Sequence, residues 1–296
     1  CFNGNLSNWN NRNVTTMDKM FNGASSFDQD ISNWNTSSVT TMLDMFRDAT
    51  VFNQDIGNWD VSGVTSMSQM FNNADAFNQN LSDWDVSNVT SVYRMFYMTD
   101  VFNGNVSNWN LSSATSLQGM FRTAALFNQD LNNWDVSNVS NLYAIFKSAT
   151  SFNQNLSNWD VSNVTNMRFA FENADVFNSN ISNWNTSSVT NMQWMFLGAD
   201  AFNQDISNWD VSNVTDMESM FKDAVSFDQN LSDWNASSVT TAADMFNGVT
   251  LTTANYDGLL SGWSTFNLTN NTIFHGGNSE YCDNTSRQLI IDNYNW

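Results

Sequence analysis

The sequence predicts an α/β repeat solenoid: a leucine-rich-repeat-like stack of about ten 25-residue units, each a short strand plus a short helix, closed by a small C-terminal α/β cap. Three observations predict it. Phe recurs every 25 residues, at 2, 27, 52 and onward to 227. Trp follows seven residues later each time, from Trp9 to Trp234. A second Phe series runs from Phe21 to Phe246 at the same interval. So strict a period means units that cannot bury their apolar faces alone and stack on one another.

The first element of each unit reads like residues 202–211, FNQDISNWDV. Ile206, Trp209 and Val211 are apolar and β-prone with polar residues between them, which predicts a short strand with one buried face. The second element reads like residues 214–224. Its apolar residues at 214, 217, 220, 221 and 224 predict a short amphipathic helix. The residue before it is Asn213, and in other copies Ser38, Gly63, Asn88 or Ser188, all suited to an N-cap. Stacking then makes core ladders of Phe52, Phe77, Phe102, Phe127 and Phe152, and of Trp59, Trp84, Trp109, Trp134 and Trp159. Paired strands would space the rungs about 4.8 Å apart, so ten of them would make a rod of roughly 50 Å.

The ladder stops after Phe246, where position 252 is Thr instead of Phe. The predicted domains are therefore a repeat solenoid over 1–250, its first unit incomplete, and a capping module over 251–296. Within the module, 253–263 suits a helix, 272–274 a strand, and Asn284 caps a helix carrying Leu289, Ile290 and Ile291. The other end enters mid-repeat at Cys1-Phe2, which predicts either an upstream domain or cover by a second subunit.

Composition narrows the partners. The chain has 29 acids, 9 bases and no proline, for a formal charge of −20. Such a body repels nucleic acid and anionic lipid. No run of 18 apolar residues exists, so no membrane insertion is expected. The 23 Phe and 13 Trp argue against disorder. The single histidine, His275, has no paired nucleophile, and the carboxylates recur evenly instead of converging. No catalytic residue and no cofactor-binding residue is assigned, and the chain is read as a non-enzyme.

The recurring words MFxxAxxFNQDISNWDVSNVTxM resemble the 25-residue repeat of BspA-like leucine-rich-repeat surface proteins, known from mycoplasmas and marine Bacteroidetes. The tail from Val249 to Cys282 is similar to the segment that follows such repeats in secreted flavobacterial proteins. The resemblance implies an extracellular molecule, secreted or at the cell surface, with roles in adhesion and interaction. It brings no catalytic residues.

Three groups of residues are candidate sites. Cys1 and Cys282 stand near opposite ends. A disulfide needs Cα atoms roughly 4.4–6.8 Å apart, which a straight rod forbids within one chain. The alternatives are a head-to-tail disulfide between subunits, bonds to other partners, two free thiols, or a lipid-modified Cys1. The second group is acidic: Asp60, Asp85, Asp135 and Asp160 share one register, where calcium could relieve their repulsion or the carboxylates could simply hold turns. Third, 18 Asn-x-Ser/Thr triplets include Asn13, Asn35, Asn88, Asn110, Asn138, Asn163, Asn185, Asn213 and Asn235. They are either glycan acceptors or equivalent caps in an Asn- and Ser-rich sequence. The Thr series from Thr15 to Thr240 suits turn formation. The functional expectation is an extracellular structural or adhesive protein, assembling head-to-tail with itself into a surface fibre. The alternative is a monomeric adhesin for a glycan, a calcium-bridged surface or a host protein.

Overall fold

Between residues 9 and 250 the described backbone forms turns and single parallel bridges, with no α-helix. The computed structural model describes residues 2–6 and 9–296. These group into two units, Cys1–Val139 with Ile145–Gln154, and Ser140–Ala144 with Asn155–Trp296.

The expected repeat helix is corrected by its hydrogen bonds. In an α-helix the N–H of Phe221 would reach back four residues. Instead it donates across to Met245 O at 3.0 Å. Met217, Ser219 and Asp223 likewise donate to Thr241, Ala243 and Asn247, at 2.8–2.9 Å. The alternate N–H groups, of Met220, Lys222 and Ala224, close four-residue turns at 2.9–3.2 Å. Ser219 and Asp223 have φ of 51° and 58°, a left-handed conformation that no right-handed helix admits. Both positions recur in this conformation through the repeats, as at Gln69 and Asn73. Successive turns produce the same i, i+3 spacing of apolar residues as a helix. That is why Val214, Met217, Met220, Phe221 and Ala224 are all buried without one.

The expected strand is corrected in the same way. Ile206–Trp209 and Val211–Val214 are two successive turns, closed by N–H···O bonds of 3.1 and 2.9 Å. Asp205 and Asp210 brace them by accepting the N–H of Ser207 and Ser212. The true β contacts lie elsewhere. One unit carries the bridges Thr16–Thr41–Ser66–Ser91, and the other Asn141–Asn166–Asn191–Asp216–Thr241.

The aromatic residues form the core. In the first unit the Phe52, Phe77, Phe102, Phe127 and Phe152 rings succeed one another at 5.9–6.0 Å and are fully buried. Trp84, Trp109 and Trp134 follow at 6.2–6.3 Å. In the second unit Trp159, Trp184 and Trp209 do the same. These centroid separations lie within the roughly 4.5–7 Å that stacked aromatic pairs prefer. The second Phe series closes the core, with Phe71 lying 3.9 Å from Phe77, ring against ring. Each buried ring stabilises the fold by roughly 1.5–3 kcal/mol. Four of these indole donors reach a carbonyl, with Nε1 of Trp59, Trp84, Trp109 and Trp134 donating to Ile31, Ile56, Leu81 and Val106 O, while Nε1 of Trp34 and of Trp263 is buried without an acceptor.

The α-helices lie in the C-terminal module. Helix α1 is Thr253–Trp263 and helix α2 is Asn284–Tyr294. The cap of α2 is Asp283, whose carboxylate accepts the N–H of Ser286, one residue before the expected Asn284. The segment expected as a strand over 272–274 makes a single bridge, Ala242 to Phe274. The module also continues the inter-repeat bonding, because Phe246 N–H donates to His275 O and Asn278 N–H to Val249 O. Phe274 and Trp263 pack edge-on, and Phe274 covers the ring of Phe246. Two glycines make this docking possible. A Cβ on Gly262 would strike Ser232 O, and one on Gly277, at φ +70°, would strike Phe246 O and Val249 O.

Candidate functional site on the turn face

The turn segments fix which side chains face out. Within each, the positions equivalent to 217, 220, 221 and 224 point into the core. Those equivalent to 218, 219 and 222 vary in residue type and in burial, from buried Asp44, Ala144 and Ser219 to exposed Lys19. Seven of the nine bases stand at these three positions: Lys19, Arg47, Arg94, Arg122, Lys147, Arg168 and Lys222. Within each unit the cations therefore recur at the same positions of the repeat, alongside acids such as Asp44 and Asp244.

Aromatic residues accompany them. In the first unit the Arg94 guanidinium lies 5.0 Å from the Tyr93 ring and 5.3 Å from Tyr97, and Arg122 lies 5.2 Å from Tyr97. Met98 beside them is exposed. In the second unit Arg168 lies 4.6 Å from Phe169 and 4.8 Å from Trp194. Tyr143 meets Phe169 edge-on at 5.3 Å. Such contacts are each worth about 0.5–1 kcal/mol at exposed sites, and more when water is excluded. Two of the other cations are paired, Arg47 with Asp44 and Asp48, and Lys222 with Asp244 at 3.1 Å. Arg94, Arg122 and Arg168 have no ion pair among the described residues. The Nε of Arg122 and of Arg168 is buried without a hydrogen-bond acceptor. Arg94 and Arg122 thus lie against rings without a carboxylate partner among the described residues, an arrangement suited to an anionic partner, whereas the charge of Arg168 acts on the nearby Asp216 carboxyl.

The residues singled out from sequence are placed differently. Asp60, Asp85, Asp135 and Asp160 each accept the N–H of the serine two residues on, at 3.0–3.1 Å. The hydroxyls of Ser87 and Ser137 hold the carboxyls of Asp85 and Asp135 below the ordinary carboxylate range, with their backbone N–H groups second. Among the described residues no group of three or more His, Cys, Asp or Glu side chains could hold a metal ion. Cys282 is an exposed free thiol, and Cys1 lies outside the described residues.

The Asn triplets fall into two sets. The amide nitrogens of Asn88, Asn138 and Asn213 donate to Ser62, Ser112 and Ser187 O in the preceding repeat, at 2.8–2.9 Å. That nitrogen is the atom a glycan would take. Asn35, Asn110, Asn185 and Asn235 instead accept through Oδ1 from the N–H two residues on. Asn13 and Asn163 are exposed. The expected capping role of Asn213 is replaced by this inter-repeat bond, since there is no helix to cap. His275 Nδ1 accepts the N–H of Gly277.

Sequence reasoning missed Tyr93, Arg94, Tyr97, Arg122, Arg168, Phe169 and Trp194. The signal was available: sorting the bases by position in the 25-residue repeat places seven of nine in three columns.

Units that share their hydrogen bonds with the next copy, bury one set of side chains and vary another define a tandem-repeat protein. The chain belongs to the family described as "Mycoplasma protein of unknown function, DUF285", whose model matches residues 1–103, 77–179 and 154–263. Among solved structures, an internalin from Listeria monocytogenes is similar at 13% identity, over 90% of this chain and 78% of the internalin, with a TM-score of 0.24. No curated protein matches.

Proposed function

We propose that the chain is a non-enzymatic adhesive repeat protein of the cell exterior, and that it binds an anionic surface polymer through the turn face. The observation that carries this reading is the placement of Arg94 and Arg122 against Tyr93 and Tyr97, without a carboxylate partner, on a chain of charge −20. Diffuse charge would only repel such a polymer, whereas guanidiniums fixed on rings offer planar donors to carboxylate or sulfate groups. The resemblance of the repeat to BspA-like surface proteins supports the extracellular setting. The test is adhesion of the purified chain to immobilised alginate and to neutral dextran, across a salt series. Retention on alginate alone, falling with salt and lost in the Arg94→Gln/Arg122→Gln double variant, supports the reading. Equal retention of that variant sinks it.

A further inference from the structure

The C-terminal module encloses a cavity of about 270 Å³. Ligand pockets run from roughly 300 to 1,000 Å³, so this one suits a single ring. Its walls include Tyr256, Tyr281, Phe274 and Trp296, and its polar lining is Arg287, His275 and Ser279. No Asp or Glu lines it, in a chain where acids outnumber bases 29 to 9.

The polar groups are donors. Arg287 stands in the first turn of α2, with its guanidinium 4.9 Å over the Tyr281 ring, and among the described residues it has no ion pair. Gly277 N–H occupies Nδ1 of His275, which leaves Nε2 as the protonated nitrogen of the neutral ring. Ser279 Oγ accepts from Leu251 N–H, so its own hydrogen is available. Trp296 is fixed by its Nε1 bond to Thr269 O, and Tyr256 is largely buried. An apolar ring-sized space with a forked cation at its side matches a flat or puckered ring bearing a carboxylate. The apolar faces of such a ring lie on the aromatic walls, and its carboxylate takes the paired N–H groups of arginine.

We infer that this cavity binds the carboxylate of a six-membered-ring acid of monosaccharide size, either a hexuronate of an acidic polysaccharide or a free aromatic acid. The inference does not depend on the reading given for the turn face.

The test uses the full chain and isothermal titration with galacturonate, benzoate and methyl galactoside, backed by saturation-transfer NMR. Binding of galacturonate but not benzoate assigns a sugar acid, and the reverse assigns an aromatic acid. The neutral galactoside is expected not to bind. Arg287→Gln should weaken the acid by about tenfold or more, as loss of a charged hydrogen bond does. Arg287→Lys keeps the charge without the fork and should fall between. Near-UV circular dichroism checks that both variants fold, and Tyr281→Ala provides a second route to the same loss. Absence of binding by either acid, equal binding of the galactoside, or undiminished binding to Arg287→Gln overturns the assignment. The Arg94→Gln/Arg122→Gln variant should bind the acid unchanged, so failure here and failure of the turn face are told apart.

Discussion

At the scale of single residues, the interior is decided by rings, several of which also satisfy their polar atoms. Trp109 is 2% exposed, stacks on Trp84 and Trp134, and donates to Leu81 O at 2.8 Å. Trp109→Ala should destabilise the fold by about 3–5 kcal/mol, read from the urea midpoint, because neighbouring rungs are tied to their own bonds and cannot collapse into the hole. The surface carboxylates have a subtler part. Serine hydrogen bonds favour the ionised form of Asp135, so its folded value lies below its unfolded one. Its contribution to stability is complete above the unfolded value and disappears as pH falls through the folded one. Ser137→Ala removes the 2.6 Å hydroxyl bond and should raise the pH at which Asp135 titrates, as followed by carboxyl carbon NMR. The ladders were legible at this scale, since a Phe every 25 residues leaves little choice but stacking. The turn-face residues were harder to read, because they are where the sentence does not repeat.

At the scale of elements, apolar spacing alone could not separate a helix from a chain of turns. The residues that separate them are small and polar. Gly23, Asp48, Asn73, Asn173, Gly198, Asp223 and Gly248 share one register, and all have positive φ. Gly, Asn and Asp are the residues that accept this conformation, so seven such letters in ten copies marked a left-handed position inside the supposed helix. Far-UV circular dichroism should therefore show little helix, since the described residues form two eleven-residue helices. A spectrum with ten further helices would refute the turn assignment. The C-terminal helices read more easily, because Thr253–Trp263 and Asn284–Tyr294 follow ordinary helix patterns. Their packing did not, since it depends on the missing side chain at Gly262. Gly262→Ala should loosen α1 from Ser232 and lower stability by about 1–3 kcal/mol in thermal unfolding.

At the scale of the whole molecule, charge is the governing quantity. A chain of −20 repels itself, so its melting temperature should rise with salt at low ionic strength, while adhesion through the turn face should weaken over the same range. The cavity in the C-terminal module could not be read from sequence, because Tyr256, His275 and Arg287 meet only after α1 and α2 fold together. The indole columns have an optical consequence. Trp84 and Trp109 are parallel to within 0° at 6.3 Å, and Trp109 and Trp134 to within 6° at 6.2 Å. At that separation an absorbed photon does not stay on one ring. Excitation hops between like chromophores faster than it is emitted, and the ultraviolet transitions couple into shared bands.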